Sequence, residues 1–360
     1  MARLTIRRLV DWFIGLLISS ALAGVATGQT DEASRRIVEL VSVTESSLTE
    51  ELEFVIPPDT RSVTFQLTGP SSSLIGLYSF TQADGVDVVG VHQRSPSAEM
   101  KRRYYDEEIS YMPSKWPQTM RLGTFVSTFP YRERDTVVPG RAKVKFVATG
   151  AGASPVKLTI LMPKKQNVGT LRINLISLSN SFNPAVTSGE TARIEREVNR
   201  IFNQAGIEVV IVKRLRFRNS RFRRLTDFHE PQETPDSQAA KMASTYGALV
   251  EAPGALNIYV VDGLEAAGIS LGIPGSPDPL SYYFGVVLLR STSSTSFARV
   301  IAHEICHFLG LHHVTNRALS GRIYNDPLPD TTIGEDNLMD SGTNLTPQQV
   351  FAIRQSPLLD

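Results

Sequence analysis

Residues 303–313 read HEICHFLGLHH, and their types and spacing carry more chemistry than any other stretch of the chain. His303 and His307 are four apart. On a helix that spacing puts both imidazoles on one face, where they can converge on a single tetrahedral ion. Glu304 stands one step round from His303, so its carboxylate can reach a water near such an ion without being a ligand, which suits a general base. Gly310 permits the left-handed conformation that ends a helix abruptly. Once the chain has turned back, His313 can supply a third ligand, with His312 beside it as the competitor. Three protein ligands leave the open fourth position that a catalytic zinc needs. A structural or degenerate zinc site is the alternative reading. Cys306, the chain's one cysteine, sits inside this run and is expected to be a buried small hydrophobe.

The elements that must position these groups can be read on either side. Residues 295–309 have an apolar face (Phe297, Val300, Ile301, Phe308) and are predicted helical. Before them come a strand at 171–178, a helix at 188–205 with Ile194, Val198 and Phe202 at four-residue spacing, and a strand beginning at 209–212. A helical stretch at 236–250 and strands at 256–261 and 284–289 follow. A last helix begins at Thr346, a good N-cap, with Pro347 in its first position. The order is that of an α/β domain with helices against a mixed sheet. Between 36 and 163 the pattern differs. Short apolar runs alternate with period two, as in Val63/Phe65/Leu67 and Val144/Phe146, and are punctuated by turn residues such as Pro57–Pro58 and Asp84–Gly85. This predicts an all-β sandwich of seven or eight strands. The polar, basic stretch 163–169 is the expected boundary, giving domains at 36–163 and 168–360. Two domains also suit 360 residues at roughly 100–200 residues each.

The motif at 303–313, with its third histidine, resembles the metzincin zinc metallopeptidases. Asp336-Asn337-Leu338-Met339-Asp340 follows at a separation that suits the family's Met-turn, so the resemblance assigns that role to Met339, as packing and not as a ligand. It also favours His313 over His312 and covers about residues 170–360. The position two residues after Met339 is Ser341, where astacins and serralysins have tyrosine, and a single cysteine leaves no cysteine switch. The resemblance therefore lies nearer the reprolysin or matrixin end. It implies a C-terminal α/β domain with a twisted mixed sheet, active-site helix and Met-turn, and Zn2+ at His303, His307 and His313. It further implies hydrolysis of protein or peptide substrates by metal-activated water with Glu304 as base. An extended substrate would pair with an edge strand, expected within 267–272, and the S1′ wall would come from 340–344.

The remaining signals bound the setting. Arg3, Arg7 and Arg8 precede a mostly apolar stretch, 12–26, and small residues at Ala21, Ala23, Ala26 and Gly28. This reads as a cleavable secretory signal over 1–28, with an uncleaved anchor as the rival, and predicts a secreted or periplasmic protein with no stable membrane span after cleavage. Net charge is +1, so no nucleic-acid partner is expected. The run 213–224 holds seven basic residues among Leu215, Phe217 and Phe222 and is read as a strand end entering a solvated loop, with a patch for nucleic acid or an anionic surface as the alternative. Acidic residues in 326–336 show no complete calcium spacing, so calcium is unsupported. His92 and His229 are expected to be surface residues. A binding or adhesion protein with a vestigial zinc domain is the alternative function. The sequence leaves open whether the β-domain is a removed prodomain or a retained module.

Overall fold

A computed structural model describes residues 34–44, 47–89, 121–150, 154–165, 169–184, 188–218, 220–226, 237–250, 254–291, 293–317, 323–326, 328–332 and 336–359. The expected signal (1–28), His92 and His229 lie outside the described residues.

The N-terminal half folds as two antiparallel four-stranded sheets. One has the order β1 (Ser34–Val41), β8 (Val156–Pro163), β3 (Val63–Thr68), β6 (Thr124–Phe129). The other has the order β2 (Leu52–Ile56), β7 (Gly140–Thr149), β4 (Leu74–Thr81), β5 (Arg121–Leu122). Alternating apolar residues send Phe65 and Phe129 from the first sheet and Phe54, Phe80 and Phe146 from the second into one interior. Phe65 meets Phe80 edge-on at 5.0 Å, Phe146 at 5.9 Å and Phe54 at 6.0 Å, so the rings interdigitate between the sheets. This is the packing that period-two patterning requires.

The second half is built on a five-stranded sheet of order β10 (Glu208–Arg216), β9 (Thr170–Ser177), β11 (Leu256–Val261), β13 (Val286–Leu289), β12 (Gly268–Ser270). The first four strands are parallel and β12 runs antiparallel along the edge. Every residue of β11 is buried because both faces of the sheet are covered. Leu256, Ile258 and Val260 face the helices α1 (Ser188–Phe202) and α3 (Ser294–Phe308), whereas Tyr259 and Val261 face α2 (Gln238–Gly247). A short hairpin, β14 (Thr315–Arg317) with β15 (Ile323–Asn325), and the final helix α4 (Pro347–Ile353) complete the chain. The molecule is thus a sheet-rich, two-domain protein.

Some boundaries move. β10 starts at Glu208 and continues to Arg216, so the basic run does begin on a strand end, as expected. The strand expected at 284–289 starts only at Val286, because Gly285 takes a positive φ of 128°. Among the described residues no helix is long and apolar enough to cross a membrane.

Candidate metal centre

Helix α3 owes its placement to a sharp start and a sharp stop. The Ser293 hydroxyl caps its first turn by accepting the Ser296 N–H at 3.3 Å. Phe297, Ala298, Ile301, Ala302, Ile305 and Phe308 pack its inner face. At the far end Gly310 has φ 116°. The Leu311 N–H bonds the Cys306 carbonyl while the Gly310 N–H bonds the His307 carbonyl, both at 2.9 Å. These two bonds are the Schellman pattern, which terminates the helix and returns the chain toward it.

The return brings His313 against the two helical histidines. Its Nε2 lies 3.1 Å from Nε2 of His303 and 3.1 Å from Nε2 of His307. The three can jointly hold a metal ion. His312 is not part of this group. Backbone carbonyls select the tautomers. His303 Nδ1 is 2.6 Å from the Leu338 carbonyl, and His307 Nδ1 is 2.7 Å from the Leu311 carbonyl. A carbonyl can only accept, so each Nδ1 carries the proton and each Nε2 is left with its lone pair turned to the shared point. Tetrahedral zinc with arms of about 2.0–2.1 Å has nitrogen–nitrogen edges of about 3.3–3.4 Å, close to the 3.1 Å separations here. The residues present fit such an ion.

Burial keeps the rings uncharged. It draws His303 down to about 4, and it holds His307 well below the ordinary histidine value, with the neighbouring rings acting in the same direction. Neutral imidazole is the form that ligates. Glu304 is 7% exposed, and burial pushes its carboxyl up to about 8, opposed by a hydrogen bond from the Ser270 N–H. Cys306 is fully buried with its thiol driven strongly upward, which makes it a packing residue.

Met339 lies in the turn 337–344 and is fully buried. Its N–H donates to Asn337 Oδ1 (2.9 Å), the Leu338 N–H donates to the Asn344 carbonyl (2.7 Å), and the Val314 N–H donates to the Met339 carbonyl (3.3 Å). The turn therefore grips both the strand that follows His313 and, through Leu338, the His303 ring.

Three contributors carry no signature in the sequence. Leu338 and Leu311 act only through carbonyls, which every residue type has. Gly268, on the edge strand β12 within the expected 267–272 segment, lies over Glu304: a Cβ there would stand 2.6 Å from Glu304 Cγ and 3.0 Å from Leu288 Cδ2. At 340–344, Asp340, Ser341 and Asn344 are exposed. Asp326 is buried, its Oδ1 accepting from the Leu328 N–H (3.3 Å) and the Thr331 hydroxyl.

No protein-family pattern and no curated protein sequence matches this chain. Among solved structures, a protein described as "Structure of a chaperone-substrate complex" aligns with a TM-score of 0.31 and 13% identity, over 59% of this chain and 36% of that one. Metalloproteinase-II from Bacteroides fragilis aligns with a TM-score of 0.28 and 15% identity, over 53% of this chain and 60% of that one. The chain thus spans less than two thirds of either protein. Likenesses this weak define no family.

Proposed function

We propose that this protein is an exported zinc-dependent endopeptidase of the metzincin type, with His303, His307 and His313 as ligands and Glu304 as general base. The observation that carries the reading is the convergence of three Nε2 atoms, two of them with tautomers preset by backbone carbonyls, on a helix that also bears a buried carboxyl. Zinc bound there supplies Lewis acidity toward a peptide carbonyl and toward water. Glu304 takes a proton from the attacking water and passes it to the departing amine, so no covalent enzyme intermediate is needed. The Ser270 N–H and the space left by Gly268 hold its carboxylate in one orientation. Among the described residues β12 has a strand on one side only, and an extended peptide could lie along the other. Export rests on the basic-apolar-small order of residues 1–28.

The test is hydrolysis of casein or a mixed peptide library by the purified full chain and by Glu304→Ala, with and without a zinc chelator. Cleavage that the wild type performs, and that both the chelator and the substitution abolish, supports the reading. Zinc binding without cleavage under any condition favours instead a binding protein with a vestigial metal centre.

A further inference from the structure

We infer that the β-sandwich is a resident buttress of the metal centre, positioning its ligands, and is not a cover that must be removed before the site can work. This rests on the triad holding a metal, and it assigns a role to the half of the chain that the proposed chemistry leaves idle.

Three contacts carry it. The first runs through α4. The Glu133 backbone N–H donates to Gln348 Oε1 at 3.1 Å, and Gln348 Nε2 returns a bond to Glu133 Oε2 at 3.3 Å. The next residue, Gln349, is bonded twice to Asn337, whose neighbour Leu338 holds the His303 ring. A short series of hydrogen bonds thus leads from the sandwich to a ligand.

The second contact lies at the end of α3. Ser127, Thr128, Pro130 and Tyr131 of the sandwich face Pro274, Leu309, Gly310 and Ala352 across a crevice of about 10 Å³. That is room for about one water at most, so the surfaces are packed together. The sandwich therefore abuts the turn that redirects the chain to His313.

The third contact fastens the segment after α4. The buried Ser62 hydroxyl donates to the Gln355 carbonyl at 2.7 Å, and Arg61 Nη2 donates to the carbonyls of Ser356 (2.9 Å) and Leu359 (3.3 Å). Leu359 in turn pairs with Leu171 at the start of the metal domain's sheet. Around these bonds one continuous cluster of buried apolar side chains extends from Val63 and Tyr131 to Leu171, Leu309 and Ile353. An interface of that character holds modules rigidly. With the sandwich in place, His313, Asp340 and Ser341 are exposed. A cover over the site would instead shield the metal face.

The test introduces a specific protease site at the 164–169 joint of the full chain, cleaves it, and follows fragment association by gel filtration and zinc affinity by chelator competition, with the uncut insert as control. Residence predicts that the fragments co-elute and bind zinc as the uncut chain does. Separation of the fragments in native buffer overturns it. In parallel, Gln348→Ala in the uncut chain, with its fold checked by circular dichroism, is expected to weaken zinc binding, by less than the roughly 10–100-fold of a group bonded directly to a ligand. Unchanged affinity overturns the positioning role. Absence of zinc binding in the wild type would sink the metal reading itself, while co-elution would still decide residence.

Discussion

Asn337 and Gln349 bond each other through both ends of their amides, Asn337 Nδ2 to Gln349 Oε1 at 3.0 Å and Gln349 Nε2 to Asn337 Oδ1 at 3.1 Å, with both residues buried. Gln349 Oε1 also accepts the Thr346 N–H and so completes the capping box of α4, while Asn337 Oδ1 accepts the Met339 N–H. One amide pair therefore joins the last helix to the turn that orients His303. Gln349→Ala strands the buried Asn337 amide, at a cost of about 1–3 kcal/mol. A thermal melt should show a drop of several degrees, together with weaker zinc binding in a chelator competition. An unchanged melting temperature would remove the pair from this role.

Gly268 is where the cleft tolerates no side chain. Gly268→Ala puts a methyl group 2.6 Å from Glu304 Cγ, so either Glu304 or β12 must shift. Because the histidines do not touch this position, zinc stoichiometry should stay at the wild-type level while kcat/KM for peptide hydrolysis falls by about 100-fold, the order expected for a misplacement of about 1 Å. Equal activity in the variant would show that Glu304 is free to move.

The two adjacent histidines should behave differently. His313→Ala removes one of three converging nitrogens and should weaken zinc binding by more than the roughly 10–100-fold typical of outer-shell losses. His312→Ala should leave binding unchanged. Chelator competition on both variants distinguishes them, and a reversed order would make His312 the third ligand.

Asp326 supplies a pH dependence away from the ligands. Burial, with neighbouring Asp330 in the same direction, raises its carboxyl to about 7, against bonds from the Thr331 hydroxyl and the Leu328 N–H. Its folded value thus lies above its unfolded one, so between roughly pH 4 and 7 the folded chain binds more protons than the unfolded chain. Stability contributed at this site is present in acid and is lost as pH rises through that window. Asp326→Asn cannot ionise. Denaturant midpoints measured from pH 4 to 8 should fall less steeply with pH for this variant than for the wild type, and parallel curves would refute the assignment.

The helix that carries His303 and His307, and the return of His313 beside them, were legible because their information is local. The i, i+4 spacing of His303 and His307, the helix-ending Gly310 and the apolar face at Phe297, Ile301 and Phe308 all fall within one short segment. The sandwich was legible through period-two runs such as Val63/Phe65/Leu67, whose phenylalanines interleave as that period requires. Features made by unspecific atoms were not legible. The carbonyls of Leu311 and Leu338 select tautomers without any side-chain signature, and Gly268 reads in sequence as one glycine among 25. The three-residue strands β14 and β15 are too short to show a period. The coupling of Glu133 to Gln348 joins residues from different domains, which no window along the chain can capture.

The two borders of the five-stranded sheet are treated differently. Outer strand β10 is nine residues long and carries Lys213, Arg214 and Arg216, whereas β12, on Glu304's side, has three residues and no charge. Glu208 stands at the other end of β10 and Arg214 is paired with Glu195 at 3.1 Å, so two copies meeting along this strand would have to strip water from charges of both signs before backbone pairing could form. That loss of hydration opposes self-association along the border away from Glu304. The short, uncharged border is the one along which the proposed peptide substrate would pair.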